Sequence, residues 1–306
     1  MSSKRVLIIG GNGFIGMNLA RTLVEKGHAV CCLDLVCPSV QMEGVTYLSG
    51  DFFDEEVLSA AVRDRDVIVH ALSTINPSNS NEKYMQGYER DFLQTVRLCE
   101  LASAQGSRLI FLSSGGTVYG NQSLQPITEG ASTNPINHYA SLKLCIENVI
   151  RAFCAQKKLK AVVARISNPY GPGQDYHRGV GFIDAVLKKS LNDEVMEIWG
   201  DGETVRDYVA IRDVCEMLTV LMDYQGTDVI FNISSGRGIS QNDILRLLKE
   251  NGICPQIVYK EYRNVDLRRT VLDNSKIMAL YGKPLTAFED GLMEYYHWLK
   301  GQRASI

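Results

Sequence analysis

The sequence predicts an α/β fold, a Rossmann-like, doubly wound parallel sheet with a smaller C-terminal α/β lobe. Short apolar runs alternate with amphipathic helical patterns through the first half of the chain, as expected for a parallel sheet covered by helices. The first run leads directly into a turn with three regularly spaced glycines. Because 306 residues exceed one typical domain, we expect residues 1–166, joined by about 205–235, to form the sheet domain. Residues 167–306 should form most of the second, interleaved lobe.

The first element is a predicted strand at Arg5–Ile9, and the glycine turn follows it. A helical pattern then runs to Gly27. In a dinucleotide site the first glycine permits the tight turn, the second lets the backbone approach a pyrophosphate, and the third lets helix and strand pack closely. The free N–H groups at the start of the helix favour the phosphates. The cofactor residues predicted here are Gly10, Gly13, Phe14, Ile15 and Gly16.

A second apolar run, His28–Leu33, ends at Asp34. This carboxylate follows the glycines by about 20 residues, where it can accept hydrogen bonds from both ribose hydroxyls of a dinucleotide. It repels a 2′-phosphate, and the next segment, 35–38, contains no arginine to accept one. The sequence therefore favours NAD over NADP as the cofactor.

The third predicted strand, Val45–Leu48, leads to Asp51. This carboxylate either reaches the adenine amino group of the cofactor or caps the helical pattern that begins near residue 54, and the spacing leaves both open. A fourth strand follows at 66–70, and its carboxyl end should border the cofactor crevice. The cofactor residues predicted at these two strand ends are Asp51, Phe52, Leu72 and Ser73.

A cluster of hydroxyl side chains follows the fifth predicted strand. A long helical pattern covers about 84–104, the strand runs over Arg108–Leu112, and serines and threonines stand beside glycines in 113–120. Hydroxyls at the carboxyl end of a parallel strand are typical of a site, although a serine-rich turn has the same composition.

Tyr139 and Lys143 begin the next helical pattern, and a spacing of four residues places them on one helix face. An ammonium near a phenol favours the phenolate, so we expect the pKa of Tyr139 to fall below its usual value of about 10. Such a tyrosine can take a proton from a substrate hydroxyl near neutral pH. The lysine can also hold the nicotinamide ribose. This spacing is common by chance, but here it follows a dinucleotide turn and a hydroxyl cluster.

The composition argues against several other classes of protein. The chain is 45% hydrophobic and 22% charged, its formal net charge is −3, and it has no basic run for nucleic acid. It shows no N-terminal signal segment and no apolar stretch long enough for a membrane span. The eight cysteines form no CxxC pair, so we expect buried reduced thiols and no metal site. A cytoplasmic protein without nucleic-acid or membrane partners is therefore expected.

These features and further motifs together resemble the extended short-chain dehydrogenase/reductase superfamily, in its NAD-dependent nucleotide-sugar epimerase/dehydratase branch. The resemblance spans nearly the whole chain. It implies NAD as the cofactor and a nucleotide sugar as the substrate, bound in a cleft between the two lobes. The further motifs that carry it are 162–165, Asn168–Gly173, Trp199–Gly202, Arg206–Val209 with Asp213, Phe231–Gly236 and Arg263–Asp266.

Carried over by position, the resemblance also implies the substrate contacts. Asn168, Arg206 and Arg263 are expected on the nucleotide diphosphate, because an arginine fork matches phosphate oxygens. Either arginine alone is more often a surface charge. Trp199 lies either near the nucleotide base or in the core. The substrate-binding residues implied are Asn168, Trp199, Arg206, Arg263, Asp266 and Thr270.

Three positions depart from the family pattern. The helper serine or threonine, which hydrogen-bonds the reacting sugar oxygen, aligns with Gly115. Ser114 or Thr117 must therefore supply a catalytic hydroxyl, or the tyrosine works alone. An asparagine expected before the fifth strand is replaced by Asp91, and the sequence explains no role for that acid. A glycine and a threonine stand where family 4,6-dehydratases carry an Asp-Glu pair, so dehydration lacks a general acid and is disfavoured.

The sequence thus predicts an NAD-dependent 4-epimerase of a nucleotide-linked hexose, which oxidises C4 transiently and uses no cofactor overall. One alternative is a 4-keto-sugar reductase with exchangeable NAD(P)H. Another is a non-catalytic member that binds a sugar nucleotide, although the intact pair of Tyr139 and Lys143 argues against it.

The resemblance implies a homodimer through two long helices, about 84–104 and 139–157. Their apolar stripes could instead face the chain's own sheet. The stripes are Tyr88, Phe92, Val96 and Cys99 on the first helix, and Leu142, Ile146, Val149 and Phe153 on the second.

Thr270 aligns with a position that borders the sugar C2 substituent in the epimerases of this family. A tyrosine there restricts the site to plain hexoses, whereas a threonine leaves room for a 2-acetamido group. The alternative is a β-branched strand residue whose neighbours close the gap. We therefore expect UDP-GlcNAc and UDP-GalNAc to be accepted at least as well as UDP-glucose and UDP-galactose.

Overall fold

The computed structural model describes residues 2–179, 181–261 and 267–303. The strands are β1 (Arg5–Ile9), β2 (Ala29–Asp34), β3 (Val45–Ser49), β4 (Val67–His70), β5 (Arg108–Ser114), β6 (Lys160–Ile166), β7 (Asn168–Tyr170), β8 (Val195–Trp199), β9 (Val205–Ala210), β10 (Ile230–Ile233), β11 (Gly238–Ser240), β12 (Gln256–Lys260) and β13 (Arg269–Thr270). The helices are α1 (Phe14–Glu25), α2 (Glu55–Val62), α3 (Tyr84–Gln86), α4 (Leu93–Gln105), α5 (His138–Ala155), α6 (Phe182–Leu191), α7 (Ile211–Leu221), α8 (Gln241–Glu250), α9 (Ser275–Tyr281) and α10 (Phe288–Arg303).

The central sheet contains seven strands in the order β10-β6-β5-β4-β1-β2-β3. Every neighbouring pair in it is parallel. Strand order runs outward from β1 in both directions, which is the arrangement of a doubly wound sheet. The predicted Rossmann-like α/β fold is therefore confirmed. The boundary expected at residue 166 stays a prediction, although β10 joins this sheet beside β6.

Apolar layers cover both faces of the sheet, because successive side chains of a strand point to opposite faces. Val6 and Ile8 belong to the layer that includes α1 and α7, whereas Leu7 and Ile9 belong to the layer that includes α2, α4 and α5. All four side chains are fully buried. Burial on both faces explains why β1 is a continuous apolar run rather than an alternating one.

The second lobe is built on β9. This strand pairs with β7 and β13 in parallel and with β11 in antiparallel orientation, while β8 and β12 form a separate parallel pair. A third apolar core joins α6, α8 and α10 to these strands through buried side chains that include Tyr170, Tyr208 and Phe288. This core is separate from the two apolar layers of the central sheet.

The predicted helix at 84–104 differs from a regular α-helix. A π-helical segment, Gly87–Phe92, joins α3 to α4. A Cβ on Gly87 would lie 2.6 Å from Ile75 and 2.9 Å from Leu142, so the wide turn packs closely against its neighbours. Segments of this kind occur often at functional sites.

Most residues of the two apolar stripes pack against the chain's own sheet, whereas Val96 and Val149 are partly exposed. Cys99 and Leu142 are fully buried, and Tyr88 and Phe92 pack against the same apolar layer. Leu93 is the exposed apolar residue at the start of α4, with 61% of its surface accessible. The homodimer itself stays a prediction.

Candidate active site

The carboxyl ends of the central strands open into a cleft of about 1370 Å³, and residues of β8 and β9 in the second lobe line its other side. This edge of a doubly wound sheet is where ligands bind. Ten of the predicted site residues line the cleft: Phe14, Ile15, Ser73, Ser114, Thr117, Tyr139, Lys143, Asn168, Trp199 and Arg206.

The glycine turn before α1 is too tightly packed for side chains. Gly10 has a φ of +83°, which side chains disfavour, and a Cβ on Gly16 would collide with the Gly10 carbonyl oxygen. Gly13 is the N-cap of α1 and offers no side-chain cap, so the first N–H groups of the helix are available to a ligand. The sequence reasoning missed Gly11, where a Cβ would collide with Cys32. That contact comes from β2 and has no local signal.

Asp34, at the end of β2, is tied to the same turn. Its Oδ2 accepts a hydrogen bond from the Asn12 N–H at 3.0 Å, and its Oδ1 accepts one from the Leu35 N–H at 2.9 Å. Each oxygen keeps a further lone pair that can accept a ribose hydroxyl. The geometry therefore fits the role predicted for Asp34.

Asp51 does not cap α2, because Asp54 is the N-cap residue and accepts two backbone N–H groups of that helix. Instead, Asp51 accepts a hydrogen bond from the Phe53 N–H at 3.0 Å and pairs with Arg90 at 3.3 Å. The helix-cap alternative for Asp51 is wrong, and the contact with adenine stays a prediction.

The three other residues predicted at the ends of β3 and β4 differ in exposure. Phe52 lies in the apolar core with 2% of its surface accessible, so the structure contradicts a cofactor contact through its side chain. Leu72 is partly buried, and its backbone packs against Gly10. Ser73 lines the cleft, and its hydroxyl donates to Asp91 Oδ2 at 2.9 Å.

Tyr139 lies at the start of α5, and it lines the cleft together with Ser114 at the end of β5. The predicted fall in its pKa is wrong for this structure: burial raises the pKa of Tyr139 to about 12, although the nearby Ser114 hydroxyl opposes the rise. Lys143, whose ammonium lies 5.5 Å from the centre of the Tyr139 ring, does not offset the effect of burial. The predicted proximity of the two side chains is nevertheless present.

Lys143 is a buried side chain in the wall of the cleft. Its Nζ donates to the Leu112 carbonyl at 3.0 Å and lies 4.7 Å from the centre of the Phe111 ring. Burial lowers the pKa of Lys143 to about 8, and the negative charges of Asp91 and Glu147 oppose that fall. The ammonium therefore predominates at neutral pH and keeps two further N–H donors.

A buried ion pair supports α5 from below, and the sequence reasoning missed it. The guanidinium of Arg165 contacts both carboxylate oxygens of Glu147, with Nη2 2.6 Å from Oε2. Ser113 donates to the same carboxylate at 2.5 Å, so its hydroxyl is engaged away from the cleft. Glu147 follows Lys143 by one helical turn, and this spacing was the one sequence signal that could have revealed it.

Gly115 cannot carry the helper hydroxyl of the family. A Cβ there would collide with Leu272 Cδ1 and would lie 2.9 Å from the Arg165 carbonyl oxygen. The neighbouring hydroxyl of Ser114 lines the cleft with Tyr139 instead. Thr117 also lines the cleft, and its buried hydroxyl has no hydrogen-bond partner in the described part of the chain.

The far side of the cleft carries the residues expected to meet the nucleotide. Arg206 on β9 is partly buried and lines the cleft, and Asn168 donates to the Asp207 carbonyl at 3.2 Å. Trp199 is 38% exposed at the end of β8, so the alternative that it belongs to the core is wrong. Arg268 also lines the cleft, although the sequence reasoning had not selected it.

The motif Arg263–Asp266 and the nearby Thr270 are not found on the cleft wall among the described residues. Arg263 and Asp266 lie outside the described residues, so their predicted contacts stay predictions. Thr270 pairs in register with Arg206 and has 1% of its surface accessible, and it is not among the residues that line the cleft. The structure therefore favours the alternative that Thr270 is a buried strand residue.

Amide side chains form a polar part of the cleft wall that the sequence reasoning did not identify. They come from loops and helix starts rather than from a recognisable motif, and only Asn137, which caps α5, had a local signal. Amides can both donate to and accept from neutral hydroxyl groups. The additional amide residues are Asn76, Asn81, Asn121, Asn137, Gln174 and Gln241.

Within residues 2–179, 181–261 and 267–303, none of the helices is long and apolar enough to cross a membrane. No group of three or more His, Cys, Asp or Glu side chains there could hold a metal ion.

Comparisons with known proteins agree with this arrangement. The model of the NAD dependent epimerase/dehydratase family matches residues 6–234. A putative UDP-glucose 4-epimerase of Methanocaldococcus jannaschii is 27% identical over 301 residues, which cover 96% of this chain and 98% of that protein. A dTDP-4-dehydro-6-deoxyglucose reductase of Escherichia coli is 28% identical over 307 residues, with 94% and 95% covered. The structure of Thermus thermophilus UDP-glucose 4-epimerase in complex with NAD has a TM-score of 0.88 and 27% identity, with 97% and 99% covered.

Proposed function

The chain belongs to the NAD-dependent epimerase/dehydratase family, and from its site we propose that it is a 4-epimerase of a nucleotide-linked hexose. The observation that carries the proposal is the cluster of Tyr139, Ser114 and Lys143 at the sheet edge, in one cleft with the dinucleotide turn. The positions of the dehydratase acid pair hold Gly116 and Thr117, and neither can protonate a leaving hydroxyl as a carboxylic acid would.

The residues of the first lobe fit NAD. The cradle at Gly10, Gly13 and Gly16 leaves backbone N–H groups for the pyrophosphate, and Asp34 keeps lone pairs for the adenosine ribose. Lys143 has donors for the nicotinamide ribose. Bound NAD would supply the hydride acceptor, and afterwards the hydride donor, at C4 of the sugar.

The chain's own residues move the proton. Tyr139, as the phenolate, takes the proton of the C4 hydroxyl and later returns it. The nearby Ser114 hydroxyl favours the phenolate, and the Lys143 ammonium supplies positive charge at the same edge. The unpartnered hydroxyl of Thr117 can donate to the reacting sugar oxygen. The hydroxyls of Ser114 and Thr117 thus take the role of the family's helper hydroxyl, which Gly115 cannot carry.

The second lobe supports a nucleotide diphosphate carrying a neutral hexose. Arg206 and Arg268 line the cleft and can pair with phosphate oxygens. The amide groups of the cleft wall suit sugar hydroxyls. The preference for a 2-acetamido sugar now rests on Thr270 by alignment alone, because its side chain is buried. We therefore propose UDP-glucose/UDP-galactose and UDP-GlcNAc/UDP-GalNAc as the two pairs to test.

The deciding experiment incubates the purified protein with each of these four sugars, without added cofactor, and follows the products by NMR. Interconversion within at least one pair is expected. Tyr139→Phe should lower turnover by about three orders of magnitude and leave bound cofactor unchanged. A protein that converts none of the four sugars, alone or with NAD added, would not be this 4-epimerase.

A 4-keto-sugar reductase is the second candidate, because the Escherichia coli relative carries that activity in its name. The same tyrosine would then protonate a C4 carbonyl oxygen. A dTDP-4-keto-6-deoxysugar supplied with NADH or NADPH separates the two functions. A reductase consumes reduced cofactor in proportion to product, whereas an epimerase forms product with no net change in absorbance at 340 nm.

A further inference from the structure

Asp207 is a buried carboxylate in the strand that carries Arg206, the expected diphosphate ligand. Its two neighbours in β9, Arg206 and Tyr208, line the cleft, whereas Asp207 has no accessible surface and is not a lining residue. Successive side chains of a strand point to opposite faces, so the carboxylate of Asp207 lies behind the cleft wall. A buried carboxylate is strongly disfavoured unless hydrogen bonds stabilise it. Its partners therefore determine what this residue does.

The ends of two central strands supply donors to this carboxylate. Oδ1 accepts the Ser235 N–H and the Ser235 hydroxyl, both at 2.8 Å, and the Ser167 hydroxyl at 3.4 Å. Oδ2 accepts the Gly236 N–H at 3.2 Å. Ser167 directly follows β6, and Ser235 and Gly236 lie just beyond β10. The side chain of Asp207 therefore ties β9, in the second lobe, to the carboxyl edge of the central sheet.

Two further bonds extend this connection. Oδ2 of Asp207 also accepts the Leu272 N–H at 3.1 Å. Leu272 pairs with Ile127, which lies in the segment between β5 and α5. The backbone carbonyl of Asp207 accepts Asn168 Nδ2 at 3.2 Å, on the cleft side. Carboxylate and backbone together thus join the sheet edge to the wall that is expected to meet the nucleotide.

The tied end of β6 lies next to the proposed catalytic hydroxyl. Ile166, the last residue of β6, pairs in register with Ser114 on β5. Ser167 follows it directly and lines the cleft. Asp207 is therefore bonded to the strand end beside Ser114, while its neighbour Arg206 faces the nucleotide side of the same cleft.

An asparagine of the same shape cannot make all of these bonds. Each carboxylate oxygen of Asp207 accepts at least one backbone N–H, and such a donor cannot reverse its direction. In one orientation the amide NH₂ of Asp207→Asn would face the Ser235 N–H. In the other orientation it would face the N–H groups of Gly236 and Leu272. At least one backbone connection is therefore lost in either orientation.

We propose that Asp207 is a positioning residue, which sets the distance between the nucleotide side of the cleft and the proposed catalytic residues. The inference deepens the proposed function, and it rests on that function in taking the cleft as a nucleotide-sugar site. Asp207 touches neither nucleotide nor sugar. It holds β9 against the ends of β6 and β10, so that a sugar whose diphosphate lies at Arg206 meets Ser114 and Tyr139.

The first test compares the affinity for a nucleotide with the affinity for the same nucleotide carrying glucose. UDP, UDP-glucose, dTDP and dTDP-glucose are titrated by calorimetry into NAD-loaded protein, in a Tyr139→Phe background that stops turnover. Burial raises the pKa of Asp207 to about 6, so the titrations are made at pH 8, where its carboxylate is ionised. A free nucleotide contacts the second lobe, whereas the glucose must also reach the central sheet.

The expected result is a selective loss of affinity for the glucose conjugate. In the nucleotide pair that the Tyr139→Phe parent binds more tightly, Asp207→Asn should raise the Kd of the conjugate about tenfold. This change corresponds to the loss of one or two hydrogen bonds to the sugar. The Kd of the free nucleotide should change less than about twofold.

Turnover gives a second readout, with Tyr139 intact. A displacement of about 1 Å between a substrate and the reacting groups costs about 100-fold in rate. Asp207→Asn should therefore lower kcat about 100-fold with the sugar that the wild type converts. The amount of NAD bound per protein chain should stay unchanged.

Asp213→Asn is the matched control. Asp213 is also a buried carboxylate, on α7, and its Oδ2 accepts the Thr286 N–H at 2.9 Å. Neither of these two residues lines the cleft. Asp213→Asn should therefore leave both Kd values and kcat within about twofold of the parent protein, whatever its effect on Tm.

Should Asp207→Asn fail to fold, Ser235→Ala provides a milder test. It removes one hydroxyl donor from the carboxylate of Asp207 and keeps the Ser235 N–H bond. The Kd of the glucose conjugate should rise about threefold, and that of the free nucleotide should stay constant. An unchanged Kd of the conjugate in this variant would overturn the proposal.

Three results with Asp207→Asn also overturn it: equal weakening of nucleotide and conjugate, no weakening of either, or the same selective loss in Asp213→Asn. The 4-epimerase proposal fails separately. A wild type that binds a glucose conjugate but converts none of the sugars would reject the epimerase, while a selective loss of the conjugate in Asp207→Asn would still support the positioning role. A protein that binds none of the four ligands would overturn both proposals.

Discussion

Gly115→Ser introduces the hydroxyl that the family carries at this position. From the structure we expect it to lower both the stability and the turnover of this protein. A Cβ at residue 115 would collide with Leu272 and lie 2.9 Å from the backbone carbonyl of Arg165. The carbonyl belongs to β6, which is paired on both sides within the sheet, and it cannot move freely. Overpacking of this kind costs about 1–3 kcal/mol. At this chain length that corresponds to a fall in Tm of about 2–6 °C.

Gly116→Ser is the matched control for stability, because a Cβ there has no neighbour closer than 3.8 Å. Thermal unfolding of both variants gives the comparison, and turnover of the preferred sugar gives the functional consequence. Gly115→Ser should lose turnover, since the strained segment also carries Ser114 against Tyr139. In a Leu272→Ala background, Gly115→Ser should lower the free energy of unfolding by about 1 kcal/mol less than it does in wild type, because one of the two collisions is removed. A Gly115→Ser variant as stable as Gly116→Ser and more active than wild type would refute the reasoning.

Three other expectations follow from buried charges. Because burial raises the pKa of Tyr139 to about 12, the phenolate fraction grows with pH and kcat should rise between pH 6 and pH 9. A kcat that falls over this range would contradict the assignment of Tyr139 as the base. Glu147→Gln leaves Arg165 as a buried unpaired charge and should lower the free energy of unfolding, measured in urea, by about 3–5 kcal/mol. The control Glu100→Gln removes an exposed ion pair and should lower the free energy of unfolding by less than about 1 kcal/mol. Burial raises the pKa of Asp207 from 3.8 to about 6, so its contribution to stability is present below pH 4 and is lost as the pH rises through 6. The difference in the free energy of unfolding between wild type and Asp207→Asn should therefore shrink by about 2–3 kcal/mol between pH 4 and pH 7. A difference that grows in favour of wild type over this range would contradict the shift.

The parts of the site that could be predicted from the sequence are those fixed by local spacing. The glycine turn depends on backbone conformation within a few residues, and its tight packing at Gly10 and Gly16 agrees with the prediction. The four-residue spacing of Tyr139 and Lys143 likewise guarantees one helix face. Family alignment placed Trp199 in the cleft, although it could not by itself exclude the core.

The parts that could not be predicted depend on neighbours that are distant in the sequence. The pKa of Tyr139 rises instead of falling because burial outweighs a lysine whose ammonium lies under the ring. Phe52 follows a strand end as expected, but its side chain points into the core. Thr270 keeps its alignment with the family position, yet the pairing of β13 with β9 buries it. Sequence position alone does not fix the direction of a side chain at these sites.

Asp207 explains how the two lobes meet at the proposed catalytic hydroxyl. It is fully buried next to Arg206, the expected diphosphate ligand, and its Oδ2 accepts the Leu272 N–H at 3.1 Å. That bond holds Leu272 where its side chain packs on Gly115 and leaves no space for a Cβ. Gly115 in turn is the residue directly after Ser114, which lines the cleft with Tyr139, the proposed catalytic residue. The way this chain seats Leu272 therefore excludes a helper side chain at position 115, whereas Ser114, one residue earlier, lines the cleft and offers its hydroxyl there.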